Sequence, residues 1–224
     1  SALGLAECNI TQPHKVAALA LMDVVDPVAQ RMGAINCIVV QEDGALHGFN
    51  NDGYGYIQSL KDVKPDWRAD DGPVLVLGAG GAARAVVLSL IDEGAREIRL
   101  TNRSIEKAQA LAAGHEAIVK VVPWAERNAA MDGAALLVNT TNQGMYGQPP
   151  LDVVLDALPP SAMVSDAIYI PLETPLLAAA RLRGHTTVNG LGMLLNQARP
   201  AFKAWFGVMP EITPELKQAI LATF

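Results

Sequence analysis

An α/β protein with a parallel-sheet domain and a smaller α/β domain is what this sequence predicts, and three observations carry the prediction. Val74 to Leu77 form a fully apolar run followed at once by Gly78, Gly80 and Ala83 in G-x-G-x-x-A order. This pattern points to the strand, turn and helix start of a Rossmann-type dinucleotide-binding unit, the alternative being a tight turn in another α/β protein. From there strands and helices alternate through residue 139, which implies a parallel sheet with right-handed crossovers. Upstream the pattern changes to short strands around a hairpin signal, Asp43-Gly44, the mark of a separate unit.

Composition limits the function classes. The chain has 224 residues, 50% of them apolar, enough for a sizeable core in one large or two small domains. A net charge of -6 argues against a nucleic-acid partner. No apolar run approaches the ~20 residues needed to span a bilayer, and Ser1-Ala2-Leu3-Gly4 lacks the basic flank and apolar segment of a signal peptide. No membrane partner is expected. Cys8 and Cys37 are too isolated for a disulfide framework, and the four histidines show no ligand spacing. The expectation is a cytoplasmic protein without a metal.

In chain order, Glu7 to Ile10 read as a strand, and Pro13 starts a helix to about Met22, with Thr11 or Gln12 near its N-cap. Lys15 then sits early in a helix, where its charge opposes the dipole slightly; it is either a solvated surface lysine or a functional one. Asp26-Pro27 opens a short helix, Ala34 to Val40 make a strand, and Ala45 to Phe49 return after the hairpin turn. Asn36 places an amide in an apolar strand, where burial demands hydrogen-bond partners. Asn50-Asn51-Asp52-Gly53 at the strand end suit a turn, a helix cap or a polar site. A helix over about Gly55 to Lys61 leads to a polar, proline-bounded linker at 64–71.

The second unit begins at residue 72, with strand 74–77, helix 81–93, strand 97–101, helix 104–113, strand 118–122, a helix near 124–130 and strand 135–139. Gly78 permits a turn that a Cβ would obstruct, Gly80 lets backbone N–H groups approach a pyrophosphate, and Ala83 keeps the helix close to the strand. The free N–H groups of that helix start face the phosphates. After the second strand, Asn102-Arg103-Ser104 stands where an NAD-selecting turn places Asp or Glu for the ribose hydroxyl. A guanidinium attracts a 2′-phosphate, so NADP is favoured over NAD; the alternative is a solvated arginine and a plain helix cap. The polar loop Asn139 to Met145 lies on the same sheet edge and should border the cofactor, with Met145 either on the nicotinamide side or in the core. A strand at Met163 to Asp166, Tyr169-Ile170-Pro171, a helix from Thr174 to about Arg183 and a short strand at Thr186 to Val188 follow. The final helix, Leu191 to about Phe206, is expected to bury Leu194, Ala198, Ala201 and Trp205 as one stripe, with Gln197 at its edge.

Seven motifs in order resemble the shikimate dehydrogenase family: Asn9-Ile-Thr-Gln-Pro-His-Lys15, Gly33-Ala-Ile-Asn36, Asn51-Asp52-Gly53, Gly78 to Ala83, Asn102-Arg-Ser104, Asn139-Thr-Thr141 and Gly190-Leu-Gly-Met-Leu-Leu-Asn-Gln197. The resemblance implies interconversion of shikimate and 3-dehydroshikimate with NADP in aromatic amino-acid biosynthesis. It makes Lys15 and Asp52 the catalytic pair, and Thr11, Asn36, Gln197 and Tyr169 substrate contacts. It extends the cofactor set of Gly78, Gly80, Asn102 and Arg103 to Gly81, Ala82, Ser104, Thr140, Met145 and Gly190. Residues 1–63 and 190–224 would form the substrate domain and 72–189 the NADP domain, in a monomer or homodimer.

Departures from the family pattern are also visible. Gln12 stands for an apolar residue, Cys37 for the common threonine after Asn36, and Asn51 for the common threonine before Asp52. They bear on substrate choice, so quinate or dual quinate/shikimate specificity is the alternative. An N-terminal strand and helix with a Ser-x-Ser carboxylate grip, usual in the family, is not found in this sequence. Either the chain is a fragment or the sequence starts after that segment; a chain truly lacking it would suit the other alternative, a non-catalytic nucleotide-sensing paralogue, against which Lys15 and Asp52 both speak.

Overall fold

The computed structural model describes residues 6–11 and 13–223; the leader comparison at residues 1–4 and the departure at Gln12 fall outside them. The chain divides into two compact units, Ser1–Gly55 with Leu194–Phe224, and Tyr56–Met193.

The first unit is built on a mixed four-stranded sheet of β1 (Glu7–Asn9), β2 (Val24–Val25), β3 (Cys37–Val40) and β4 (Leu46–Phe49), in the order β1-β3-β4-β2. β1 and β4 flank β3 antiparallel, and β2 runs parallel to β4. The Asp43-Gly44 hairpin forms as predicted: the Asp43 carboxylate accepts the Ala45 N–H, and Gly44 takes φ 87°. α1 (Lys15–Leu19) is shorter than expected. Its last turn tightens, with Leu21 and Met22 N–H bonding Ala18 and Leu19, so that Asp23 can pair with Leu46 at the start of β2. α2 (Pro27–Met32) starts at an Asp26 cap whose side chain accepts the Val28 N–H. Ala18, Ala29, Ile35 and Ile38 make the core, with Cys8, Ile10, Leu19, Met22, Val25 and Leu46 packed against it.

α3 (Asp52–Val63) starts three residues before its predicted beginning. The Asn50 side chain accepts the Asp52 N–H, so the polar strand end caps a helix and places Asp52 in its first turn.

The second unit carries a six-stranded, all-parallel sheet: β5 (Val74–Leu77), β6 (Ile98–Thr101), β7 (Val119–Val122), β8 (Leu136–Asn139), β9 (Met163–Asp166) and β10 (Thr187–Val188), in the order β10-β9-β8-β5-β6-β7. The chain winds outward from β5 in one direction and from β8 in the other, the doubly wound order with its switch point between them. α4 (Gly81–Asp92), α5 (Ile105–Ala112) and α6 (Pro175–Leu182) connect strands. β5 is buried on both faces: Val74 and Val76 enter one core with Val86, Leu90, Ile98 and Leu100, while Leu75 and Leu77 enter the other with Leu137, Val164 and Leu177. Each such side chain stabilises the fold by roughly 1.5–3 kcal/mol relative to exposure, which is why the strand reads as a continuous apolar run. Within 64–71, Trp67 and Ala69 are buried in the first of these cores.

Two expectations are corrected. The helix near 124–130 is two 3₁₀ turns, Trp124–Glu126 and Ala129–Met131. The Trp124 carbonyl accepts both the Arg127 N–H and its guanidinium, which also lies over the Trp124 ring, so the i to i+4 ladder does not start. The stripe of α7 (Gly190–Phe206) is displaced: Leu191, Leu195, Asn196 and Ala201 are buried, whereas Ala198 is exposed and Leu194 and Trp205 are half-buried. Gly192 sets the rotation, since a Cβ there would lie 2.9 Å from that of Ser59 on α3. The helix continues through Pro200, and α8 (Pro214–Leu221) follows under a Thr213 cap.

Candidate active site

Four of the residues singled out from the sequence meet in the first unit. Lys15 opens α1, Asn36 precedes β3, Asp52 opens α3 and Gln197 lies on α7. Lys15 Nζ donates to Asp52 Oδ2 at 2.7 Å, with the two side chains 23% and 17% exposed. Asn36 Nδ2 donates to the other Asp52 oxygen, Oδ1, at 2.8 Å, and to Gln197 Oε1 at 3.2 Å. Asn36 Oδ1 accepts the Asn51 N–H at 3.0 Å. The amide expected to need partners is therefore fully satisfied by the protein.

Local structure explains why these groups converge. The Asn36 backbone is stitched between two strands, its carbonyl accepting from Ile10 and its N–H donating to Phe49. The Ile35 N–H bonds the Lys15 carbonyl at 3.0 Å, which ties the start of α1 to the strand carrying Asn36. Asn50 is locked by its Nδ2 on the Ala34 carbonyl while its oxygen caps Asp52. An ammonium at a helix start opposes the dipole, and the Asp52 carboxylate offsets it. One Lys15 donor is engaged by Asp52, and an ammonium has three. The arrangement offers a half-buried proton donor anchored by a carboxylate that is itself held in place.

Thr11 is exposed and lies outside this hydrogen-bonded set; its carbonyl accepts the His14 N–H. Tyr169 belongs to the second unit and is 36% exposed. Cys37, beside Asn36, is buried, and burial pushes its thiol up to about 11. The thiolate nucleophile is thereby disfavoured.

The second unit presents the glycine turn at its switch point. Gly78 adopts φ 110°, and a Cβ there would lie 2.5 Å from Thr140 Oγ1, so the protein's own neighbouring loop demands the glycine. Thr140 Oγ1 is itself bound to the Leu77 carbonyl at 2.7 Å. A Cβ on Gly80, in contrast, would meet nothing within 4 Å. Gly80 is the N-cap of α4 and supplies no side chain to its first-turn N–H groups, which run through Gly81 and Ala82. Open space in front of uncapped amide donors fits a pyrophosphate. Ala83 is fully buried, as close helix-to-strand packing requires.

Asn102 Nδ2 folds back on the Ser104 carbonyl, and the Ser104 hydroxyl donates to Glu106 instead of capping α5. Arg103 is exposed, with no ion pair among the described residues. Met145 is 43% exposed, which removes the core alternative. Gly190 has a packing reason of its own: a Cβ there would meet the Ala167 carbonyl oxygen, and its N–H bonds Ile168 at 2.9 Å. Among the described residues, no group of three His, Cys, Asp or Glu side chains is arranged to hold a metal, and no helix is long and apolar enough to cross a membrane.

Three family models match this chain: the shikimate dehydrogenase substrate binding domain over residues 1–38, shikimate/quinate 5-dehydrogenase over 61–146, and the shikimate 5′-dehydrogenase C-terminal domain over 190–221. A shikimate dehydrogenase (NADP(+)) from Rhodospirillum rubrum is 54% identical over 98% of this chain and 79% of its own length. The chain belongs to the shikimate dehydrogenase family. Family structures agree closely with its fold. A quinate dehydrogenase from Corynebacterium glutamicum in complex with NAD superposes with a TM-score of 0.90 at 32% identity, over 99% of this chain and 79% of that one. Shikimate 5-dehydrogenase from Thermus thermophilus in complex with NADP(H) and shikimate gives 0.84 at 36% identity, over 99% and 80%.

Sequence reasoning passed over two fully buried polar residues at the ends of β8 and β9, Asn139 and Asp166. Asn139 stood inside a quoted motif without a role. A carboxylate closing an apolar parallel strand was the signal for Asp166, since such a group needs several donors.

Proposed function

We propose that this member of the family is an NADP-dependent oxidoreductase interconverting shikimate and 3-dehydroshikimate, a step toward aromatic amino acids. The observation that carries the reading is the 2.7 Å contact of Lys15 with an Asp52 already fixed by Asn36. NADP, when bound, accepts or supplies the hydride. In the reducing direction the Lys15 ammonium gives a proton to the substrate carbonyl oxygen, and in the oxidising direction the neutral amine takes it from the hydroxyl. Asp52 orients Lys15. A substrate hydroxyl engaging Asn36 replaces Gln197 Oε1, the longer of the two amide contacts at 3.2 Å. Thr11, Gln197 and Tyr169 supply further substrate hydrogen bonds.

The backbone of Gly78, Gly80, Gly81 and Ala82 would hold the pyrophosphate. Asn102, Arg103 and Ser104 would hold the adenosine 2′-phosphate, and Thr140, Met145 and Gly190 the remaining half. In this reading residues 1–63 and 190–224 are the substrate domain, joined through 64–71 to an NADP domain at 72–189. The enzyme works in the cytoplasm as a monomer or homodimer, without nucleic-acid or membrane partners. Adding shikimate and NADP+ to the protein should raise the near-ultraviolet absorbance of reduced nicotinamide; a flat trace overturns the reading.

The Corynebacterium neighbour supports quinate as a second substrate, as do Cys37 and Asn51 at positions flanking the site. Comparing kcat/KM for the two acids with each cofactor decides between them.

A further inference from the structure

We propose that Asp166 is a positioning residue for the cofactor end of the second unit, one buried carboxylate that locks the loops after β8 and β9 into a single arrangement. The proposal rests on the NADP reading above, in which the loop after β8 carries Thr140 and Met145; the loop after β9 carries Tyr169, a substrate contact. Asp166 and Asn139 are directly paired in the β8–β9 register and are 1% and 0% exposed. Asp166 Oδ1 accepts Asn139 Nδ2 at 3.0 Å and the Ile168 N–H at 3.1 Å, and Oδ2 accepts the Thr174 hydroxyl at 2.7 Å. No cation pairs with it among the described residues. Burial pushes this carboxyl up, and the three donors oppose that shift.

Each donor leads into a different piece of chain. Asn139 Oδ1 accepts both the N–H and the hydroxyl of Thr141, Asn139 Nδ2 also reaches the Gln143 carbonyl, and Thr141 Oγ1 accepts the Gln143 N–H. Thr141 and Gln143 therefore hang on Asn139, whose amide is oriented by Asp166, while Thr140 is held separately by the Leu77 carbonyl. Thr174 uses the same oxygen to cap α6 at Leu177, so the carboxylate also fixes the end of the 167–174 loop. On the other side Gly190, where a Cβ would collide with the Ala167 carbonyl, donates its N–H to the Ile168 carbonyl and gives the segment after Asp166 a further tie. An apolar residue at 166 would hold the strand equally well, yet it would orient neither loop.

The test uses the full chain with three variants. Asp166→Asn keeps the shape but turns one acceptor into a donor, and Thr174→Val removes one arm, with Thr174→Ser as the conservative rescue. The expectation for Asp166→Asn and Thr174→Val is an affinity for NADP+ weaker by about tenfold or more, given the strength of hydrogen bonds to charged groups. Shikimate KM should rise by a smaller factor, since Tyr169 is only one of four substrate contacts, and Thr174→Ser should resemble the wild type. Asp166→Asn should also speed amide exchange at Thr141 and Gln143, which the carboxylate reaches through Asn139. A role confined to stability would lower the melting temperature without splitting the two KM values. Wild-type protein that binds NADP+ while both damaging variants bind it equally well overturns this proposal alone. Wild-type protein that takes up no NADP+ overturns the reading beneath it.

Discussion

The two candidate regions are built by opposite means. The Lys15 cluster is made of side chains from four stretches as far apart as residues 15 and 197, each holding the next by a hydrogen bond. The glycine turn is made of backbone, and apart from the Thr140 contact at Gly78 its properties belong to the consecutive residues from Val74 to the first turn of α4. A side-chain cluster fails when one partner is removed, because the others are left half-buried and unpaired. A backbone turn tolerates changes of side chain at its open positions and fails only where a Cβ has no room.

Four experiments sharpen that contrast. Lys15→Ala should lower kcat by roughly 10²–10⁴-fold, the range for losing a positioned acid-base group, with NADP+ affinity unchanged in a calorimetric titration. Near-normal kcat in that variant would make Lys15 a surface residue. Gly78→Ala should act on the other region: a Cβ at φ 110°, placed 2.5 Å from Thr140 Oγ1, is expected to cost about 1–3 kcal/mol. Chemical denaturation should show the loss, NADP+ binding should weaken with it, and Gly80→Ala, facing open space, should retain far more stability. If the two glycine variants behaved alike, the distinction between a crowded and an open position would be wrong.

Arg103→Ala should weaken NADP+ binding by roughly tenfold or more and leave NAD+ binding nearly unchanged, as expected for one charge-assisted phosphate contact. Equal losses for both cofactors would remove the 2′-phosphate role. The smallest effect concerns Cys37. With its thiol pushed up to about 11 by burial, the folded chain binds that proton more tightly than the unfolded chain. Its contribution to stability is present below the ordinary thiol pKa and fades as pH rises through about 11. Cys37 should therefore resist alkylation at pH values where the half-buried Cys8 reacts, measured by peptide mass mapping; equal labelling would refute it.

Much of the second unit was legible in advance because its signals are local. The apolar run of β5, the glycine spacing and the β-α rhythm each concern neighbours in sequence, and the parallel sheet follows from their order. The stretch at 124–130 misled because a side chain, Arg127, competes for the Trp124 carbonyl, a contact that periodicity does not register. The stripe of α7 slipped because Leu194 and Leu195 fit an apolar pattern equally, and the contact of Gly192 with Ser59 decides between them.

For the candidate site, Lys15 and Asn36 were visible as residues out of keeping with their surroundings, whereas Asp52 and Gln197 stood out only through the family resemblance. The sequence by itself determined that a glycine turn of dinucleotide-binding pattern exists, that Arg103 stands where an acidic residue would select NAD, and that Asn36, if buried, needs partners. Only the tertiary structure decided that these four polar groups partner one another, that Asn36 is spent on Asp52 and Gln197, and that Asp166 ties two loops together. The reason is physical: backbone conformation responds to adjacent residues, whereas a buried polar side chain is satisfied by whatever donor folding brings within about 3 Å.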